Sequence, residues 1–175
     1  MIYYSNENLV VRSMLRTDIE ALFKGFAEQG WSKPQEQFSE YYSQQENHEK
    51  LVVVAEWNGH VAGYVTLLPT TEIGPFTHQN IPEIVDFNVL IKYQNKGIGN
   101  KIMDITENLA KAKSNTVSLC VGLHGGYGSA QRMYVKRGYI PDGTGVWYNG
   151  KQLEPNAQCV NDDDLNLYFL KSLKG

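Results

Sequence analysis

The stretch from residue 83 to residue 112 constrains the fold more than any other part of this sequence. An apolar segment predicts a strand over residues 83–91, after which the chain passes through Gln94-Asn95-Lys96-Gly97-Ile98-Gly99 into a helix. That helix has one apolar stripe, formed by Ile98, Ile102, Ile105, Leu109 and Ala112. A strand that leads directly into a helix predicts an α/β arrangement, with the amino terminus of the helix at the end of the strand.

The turn between this strand and this helix predicts an anion site. Gly97 and Gly99 permit positive φ and a close approach of a ligand to the backbone, because glycine has no Cβ. Unpaired N–H groups and the positive end of the helix dipole would surround one small cavity. A dinucleotide fingerprint would need glycine at position 102, where Ile102 stands, and a P-loop would need Lys-Ser or Lys-Thr after a glycine. Both motifs are excluded, and a tight turn without a ligand remains the alternative.

The remaining segments predict a mixed sheet covered by helices. Asn58-Gly59 is typical of a type I′ turn and predicts a hairpin. In chain order we predict a strand within residues 9–15, a helix that is capped by Arg16-Thr17-Asp18 and ends near Gly30, and a helix that starts after Pro34 and runs to about Asn47. Strands over 51–57, 60–68 and 83–91, a helix from Ile98, a strand over 116–123, a helix over 128–137 and strands from Tyr139 and over 165–170 follow.

Composition narrows the class of protein. A chain of 175 residues with 42% hydrophobic and 20% charged residues predicts one globular domain spanning 1–175. The net charge of −3 gives no electrostatic reason to bind nucleic acid, and no apolar run is long enough to cross a membrane. Cys120 and Cys159 form no CxxC pair, so we expect no metal site and no disulfide framework. With no secretory signal at the start, we expect a cytoplasmic protein.

A second motif, read together with the turn, resembles a known family. Ala130-x-x-x-Tyr134-x-x-x-Gly138-Tyr139 predicts a helix that carries a tyrosine and ends in Gly-Tyr. The turn resembles the pyrophosphate-binding Gln/Arg-x-x-Gly-x-Gly/Ala motif of the GNAT superfamily of N-acetyltransferases, and this helix resembles the second signature of that superfamily. The stretch 124–142 is similar to a bacterial, small-molecule-type subgroup. The resemblance implies a mostly antiparallel twisted sheet of about seven strands, with helices on both faces and a splay between the fourth and fifth strands.

The resemblance also implies acetyl-CoA as co-substrate and a set of residues that contact it. These are Val89, Leu90, Ile91, Gln94, Asn95, Lys96, Gly97, Ile98, Gly99, Asn100, Ser129, Ala130 and Tyr134. Two positions depart from the family pattern. Asn95 replaces a common glycine, at a modest cost because asparagine tolerates left-handed backbone. Tyr127 replaces a common asparagine, so Ser129 or a backbone group is the alternative contact to the pantetheine arm.

Three residues are candidates for the chemistry of thioester aminolysis, which needs a neutral amine and a proton for the leaving thiolate. Counted back from Gly97, Glu83 matches the general base of the histone-acetylating branch of the family, and Asp86 matches an acidic position common in small-molecule branches. Alternation along the strand predicts that Glu83 and Asp86 face opposite sides. We favour Glu83, acting through water, with Asp86 in reserve and a structural ion pair as the alternative for each. Tyr134 is the candidate general acid, and a buried core tyrosine is the alternative.

The acceptor is expected to be the primary amine of a small molecule, attacked directly in a ternary complex. Aromatic residues in the segments that usually form the acceptor side are Trp31, Tyr41, Tyr42, Phe76, His78, Trp147 and Tyr148, and most of them are expected to serve packing. His78 and His124 are alternative bases. A non-catalytic acyl-CoA-binding or sensing module and a protein or peptide N-acetyltransferase remain alternative functions. The sequence does not choose between a monomer and a homodimer.

Overall fold

The computed structural model describes residues 1–71 and 73–174. They form nine strands and four α-helices, in the order β1 (Ile2–Ser5), β2 (Leu9–Ser13), α1 (Asp18–Glu28), α2 (Gln35–Glu46), β3 (Leu51–Trp57), β4 (His60–Leu68), β5 (Glu83–Val89), α3 (Ile98–Lys111), β6 (Thr116–Gly122), α4 (Gly128–Lys136), β7 (Ile140–Tyr148), β8 (Lys151–Gln152) and β9 (Leu165–Ser172). Short 3₁₀ turns precede α3 and α4. The predicted mixed α/β fold is confirmed, and β1 and β8 are the two strands that the sequence analysis missed.

The chain divides into two compact units, Met1–Leu68 with Val85–Leu109 and Pro69–Ile84 with Ala110–Gly175. In the first unit the strand order is β1-β2-β3-β4-β5, and β1 to β4 pair antiparallel. The hairpin between β3 and β4 is the predicted one, because Asn58 and Gly59 have φ of +49° and +77°. Strand β5 begins in the second unit and continues in the first.

In the second unit the strand order is β5-β6-β9-β7-β8. Strands β5 and β6 are parallel and share two residue pairs, Glu83 with Ser118 and Ile84 with Leu119. All the other pairings in this unit are antiparallel. This short parallel contact is consistent with the splay that the family resemblance implies between the fourth and fifth predicted strands.

The core of the first unit is aromatic where α1 and α2 cover the sheet. Phe26, Phe38 and Tyr64 are fully buried, with ring centroids 5.6–6.0 Å apart. Close by, Arg12 donates to Asp18 at 2.6 and 2.8 Å and also pairs with Glu56, which ties β2 to α1 and β3. A buried ion pair of this kind holds the start of α1 in one orientation.

Within residues 1–71 and 73–174, no helix is long and apolar enough to cross a membrane. The same residues include no group of three or more His, Cys, Asp or Glu side chains placed to hold a metal ion.

Candidate active site

The turn at residues 94–99 lies in the first unit and leads from β5 to α3. Asn95 and Gly97 have φ of +60° and +77°, so the chain reverses through two left-handed residues before α3 begins at Ile98. Among the described residues, no protein acceptor is found for the N–H groups of residues 96–99, and Lys101 donates to Gly97 O at 3.1 Å as the first bond of the helix. The turn therefore offers several amide donors at the positive end of a helix dipole.

The two glycines of the turn serve different purposes. A Cβ built on Gly97 would meet nothing within 4 Å, so this position needs glycine for its left-handed backbone and leaves open space beside it. A Cβ on Gly99 would lie 3.2 Å from Phe87 Cζ, so Gly99 lets α3 pack closely on β5. Gln94 donates from Nε2 to Val89 O at 3.0 Å, which fixes the start of the turn to the end of the strand.

These features fit a diphosphate. Unpaired N–H groups, a helix amino terminus and the space beside Gly97 are what a bound pyrophosphate requires. Leu90 N donates to Ala62 O at 2.9 Å, whereas Ile91 lies in a 3₁₀ turn instead of extending the strand as predicted. The charge of a phosphate at this turn would be held mainly by backbone N–H donors. The ammonium group of Lys96 lies over the Trp57 ring instead, 5.6 Å from the ring centroid.

Glu83 lies in the second unit, at the start of β5, and only 5% of its surface is exposed. Burial raises the pKa of this carboxyl, and a hydrogen bond with the Thr71 side chain acts in the opposite direction. The Glu83 charge in turn is the second cause, after burial, that raises the pKa of the Cys120 thiol to about 12. Glu83 is thus a carboxylate whose surroundings favour its protonated form.

Tyr134 also lies in the second unit, on the buried side of α4, with 6% of its surface exposed. Its ring centroid lies 5.8 Å from that of Tyr139, and its hydroxyl has no hydrogen-bond partner among the described residues. Burial, followed by the proximity of Cys120, raises the pKa of this phenol, so it stays protonated at neutral pH. Glu83 and Tyr134 are therefore both close to Cys120.

Asp86 lies in the first unit, surrounded by donors. Its Oδ1 accepts from Lys33 Nζ at 2.6 Å and from Asn88 Nδ2 at 2.8 Å. Its Oδ2 accepts from Gln37 Nε2 at 3.1 Å, from Tyr41 OH at 3.0 Å and from Tyr64 OH. Burial, followed by the Asp86 charge, raises the pKa of both tyrosines, so they remain donors. All the accepting capacity of this carboxylate is used.

The backbone at Asp86 is left-handed, with φ of +50°. The prediction that Glu83 and Asp86 face opposite sides assumed regular alternation along the strand, which a left-handed residue interrupts. The relative orientation of the two carboxylates therefore stays a prediction. A close approach accompanies this irregularity. A Cβ on Gly63 of β4 would lie 2.5 Å from Asn88 O, so glycine is required there.

The start of α4 carries the other residues that the family resemblance assigned to the coenzyme. Ser129 is exposed and Ala130 half-buried in the first turn of the helix. Tyr127 donates from its hydroxyl to Asp163 Oδ1 at 2.9 Å, and its ring occupies the space where Gly122 would carry a Cβ. Because the Tyr127 hydroxyl is bonded to Asp163, Ser129 has the hydroxyl that is better placed to meet a ligand.

Sequence reasoning missed four residues that surround the predicted ones. Lys33 forms an ion pair with Asp86, which lies 53 positions later in the sequence, and no local motif predicts such a contact. Thr71, Cys120 and Tyr168 cluster around Glu83 in the second unit. Cys120 and Tyr168 are direct partners in the antiparallel ladder of β6 and β9, so the strand register brings them together. The strand pattern over residues 165–170 was visible in the sequence, but the register of that strand was not.

Comparison with known proteins agrees with this geometry. The profile of the acetyltransferase (GNAT) family matches residues 16–139. No curated protein sequence matches the chain. Solved structures of the same fold include yncA of Salmonella typhimurium, described as an acetyltransferase with its cofactor acetyl-CoA, at 16% identity, a TM-score of 0.69 and coverage of 96% of this chain and 95% of that one.

Two further structures extend the range of described activities. An N-acetyltransferase from Staphylococcus aureus Mu50 is 18% identical, with a TM-score of 0.69 and coverage of 96% and 100%. A Salmonella typhimurium acetyl transferase that modifies the N-terminal serine of 50S ribosomal subunit protein L7/L12 is 10% identical, with a TM-score of 0.72 and coverage of 99% and 100%. At these identities the structures establish the fold alone, and the family profile spans most of the chain. The chain belongs to the GNAT family of acetyltransferases and is an acetyl-CoA-dependent N-acetyltransferase.

Proposed function

We propose that this enzyme transfers the acetyl group of acetyl-CoA to the primary amine of a small molecule, by direct attack of the amine in a ternary complex. The observation that carries the proposal is that the second unit contains both Glu83, a buried carboxyl with a raised pKa, and Tyr134, a phenol whose hydroxyl has no hydrogen-bond partner in the described part of the chain. Both lie near Cys120, so a base and an acid occur in one small region. An amine acceptor needs both functions.

Glu83 is proposed as the general base. An amine must lose its proton before it can attack a carbonyl carbon, and a carboxylate removes that proton best when its own pKa is raised toward neutrality. Burial provides that increase at Glu83. Asp86 is held by five donors and serves in this proposal as a structural ion-pair partner of Lys33.

Tyr134 is proposed as the general acid. Acetyl-CoA supplies an activated acyl thioester, and the departing thiolate needs a proton. A protonated phenol with a free hydroxyl can donate one, and the ring of Tyr134 packs against that of Tyr139.

The proposed coenzyme contacts are those that the family resemblance implies. The backbone of residues 94–100 would hold the diphosphate, the backbone of residues 89–91 the pantetheine arm, and Ser129 and Ala130 would add contacts at the start of α4. Support comes from the unpaired amides of residues 96–99 and the space beside Gly97.

Two glycine variants test the turn. Gly97 and Gly59 both have φ of +77° and both have open space where a Cβ would stand, so alanine should strain the two sites equally, by about 1–2 kcal/mol. Only Gly97→Ala would place a methyl group in the proposed diphosphate site. Calorimetry with coenzyme A should show about tenfold weaker binding for Gly97→Ala and unchanged binding for Gly59→Ala. Equal affinities of the two variants for coenzyme A would show that the diphosphate does not bind at this turn.

The acceptor is tested by a panel of amines, polyamines, aminoglycosides and peptides with acetyl-CoA, following thiol release. The proposal expects turnover with a small primary amine. Release with peptides alone would instead support a protein or peptide acceptor, as described for the Salmonella typhimurium acetyl transferase that modifies ribosomal protein L7/L12. Tight binding of acetyl-CoA with no release from any acceptor would support an acyl-CoA sensor.

A further inference from the structure

The carboxyl end of α1 lies against the segment that follows β5, and both belong to the first unit. A Cβ built on Gly25 would stand 2.6 Å from Leu90 Cδ1, so glycine allows the helix to approach this segment closely. Gln29, the residue after the helix, accepts a hydrogen bond from Ile91 N at 2.9 Å through its Oε1. The carboxamide of Gln29 is therefore fixed beside residues 90 and 91.

The other half of that carboxamide is a donor without an acceptor. A backbone N–H group can only donate, so the atom that faces Ile91 N has to be Oε1, and the amino group of Gln29 points elsewhere. Its Nε2 atom is buried and finds no hydrogen-bond partner in the part of the chain that the structure describes. An unpaired buried donor costs free energy in the folded protein, and most such groups are paired. A ligand that brings an acceptor would remove this cost.

Gln45 in α2 shows a fully paired carboxamide in the same unit. Its Oε1 accepts from Met14 N at 3.1 Å, and its Nε2 donates to Met14 O at 3.0 Å. Gln45 and Gln29 are both half-buried, and both bond to the backbone just after a strand. The difference between them is that Gln29 uses only its oxygen.

Two of the backbone donors beside Gln29 are already used within the protein. Leu90 N donates to Ala62 O at 2.9 Å, and Ile91 N donates to Gln29 itself. The carbonyl oxygens of this segment can accept further hydrogen bonds, since each has two lone pairs. A ligand along residues 89–91 can therefore direct its own N–H groups to the backbone, whereas its carbonyl oxygens need a donor from elsewhere. The amino group of Gln29 is such a donor.

We propose that Gln29 is a coenzyme-binding residue whose amino group donates a hydrogen bond to a carbonyl oxygen of the acylated pantetheine arm. That oxygen belongs either to an amide of the arm or to the thioester. The inference rests on the proposed function, which puts the arm along residues 89–91. Ile91, whose N–H holds the carboxamide, is 53% exposed, so its side chain can move aside when the arm reaches the buried nitrogen.

Calorimetry of wild-type protein and Gln29→Met, with coenzyme A and with acetyl-CoA, is the first test. Methionine keeps the length of the side chain and removes both hydrogen-bonding groups of the carboxamide. We expect about tenfold weaker binding, as for the loss of one hydrogen bond. Weaker binding of both ligands would assign the bond to an amide carbonyl, and weaker binding of acetyl-CoA alone would assign it to the thioester. Unchanged affinity for both ligands would overturn the inference.

Gln29→Glu separates the donor from the contact with Ile91. The carboxylate can still accept from Ile91 N, but at neutral pH it has no proton to donate. The affinity for coenzyme should fall at least as far as in Gln29→Met and stay low at high salt, because salt screens the added charge but does not restore a donor. Wild-type affinity, or a loss that high salt abolishes, would leave Gln29 as a structural support of Ile91 and contradict the proposed contact.

Gln45→Met is the matched control. It loses two hydrogen bonds to Met14, so its Tm should fall, while its affinity for coenzyme A should equal that of wild type. Gln29→Met loses one hydrogen bond and also removes an unpaired buried donor, so its Tm should fall less. An equal fall in Tm would mean that Nε2 is paired within the protein. Equal losses of affinity would mean that binding follows stability, and either result sinks the inference.

The result for Gln29 can be separated from the proposed function. If Gly97→Ala binds coenzyme A as Gly59→Ala does, the diphosphate turn is wrong, and the affinities of the Gln29 variants still show whether the arm meets this side chain. If no small amine is acetylated, the proposed acceptor is wrong, and the same affinities are unaffected because they need no acceptor.

Discussion

Glu83 and Asp86 stand three residues apart on β5, and their surroundings are opposite in kind. Asp86 is 18% exposed at its side chain, pairs with an ammonium group and accepts hydrogen bonds from five donors. Thr71 is the one side chain of the described residues whose hydrogen bonding lowers the pKa of Glu83, and burial, the larger effect, raises that pKa. A carboxyl that is buried with few donors gains from protonation, which is the situation of Glu83. The comparison supports the proposal that Asp86 has a structural role and Glu83 a catalytic one.

The largest expected effect is that of Glu83→Gln on turnover. Loss of a general base should lower kcat/KM about 10³-fold at pH 7, because the amide cannot accept the proton of the amine. Asp86→Asn is the control and should retain the rate within about threefold, since Asp86 only bonds to neighbouring side chains. Steady-state kinetics with the best panel acceptor measures both, and a larger loss in Asp86→Asn would reverse the assignment.

Tyr134→Phe is expected to have the next largest effect. Removal of the hydroxyl should lower kcat about 10²-fold and leave the affinity for acetyl-CoA nearly unchanged, because the ring and its packing remain. Tyr139→Phe removes a hydroxyl from the adjacent ring and serves as the matched control. Turnover by Tyr134→Phe at the wild-type rate would show that Tyr134 does not donate the proton to the departing thiolate.

Asp86→Asn is expected to act on stability instead. The substitution breaks a half-buried ion pair with Lys33, which should lower the free energy of unfolding by about 1–3 kcal/mol. Lys33→Met should cost a similar amount, and the double variant should cost less than the sum, because the two residues share one interaction. Urea unfolding of the four proteins measures the coupling, and strict additivity would contradict the ion pair as the main role of Asp86.

Much of this fold could be predicted from local patterns. Asn58 and Gly59 adopt the positive φ that their turn requires, and the glycine turn before Ile98 indicates the start of a helix. Strands β3 and β4 and helix α3 were therefore predicted close to their observed bounds. Strands β1 and β8 were missed because four and two residues carry too little periodicity. The candidate acids and bases could be chosen from the sequence because each occupies a defined position relative to a sequence motif.

What surrounds those residues could not be predicted. Four of the five donors to Asp86 come from α2, β4 and the loop before α2, and only packing brings Lys33, Gln37 and Tyr64 to one carboxylate. Likewise, the register of β6 and β9 places Tyr168 opposite Cys120, and a shift of one residue would have pointed it to the other face. The difference between Glu83 and Asp86 depends entirely on these non-local contacts.

The most direct measurement of that difference is the free energy of unfolding of wild-type protein and Glu83→Gln as a function of pH, which needs no acceptor. Because the folded-state pKa of Glu83 is raised above its ordinary value of 4.5, the folded protein binds this proton more tightly than the unfolded chain does. The contribution of Glu83 to stability is therefore present below pH 4.5 and is lost as the pH rises through the raised pKa.

We accordingly expect Glu83→Gln to be more stable than wild type at pH 7, with the two curves converging below pH 4.5. A variant that is less stable than wild type at pH 7 and gains relative to it on acidification would mean that the folded protein stabilises the Glu83 charge. That result would contradict the account of Glu83 as a carboxyl poised to accept a proton.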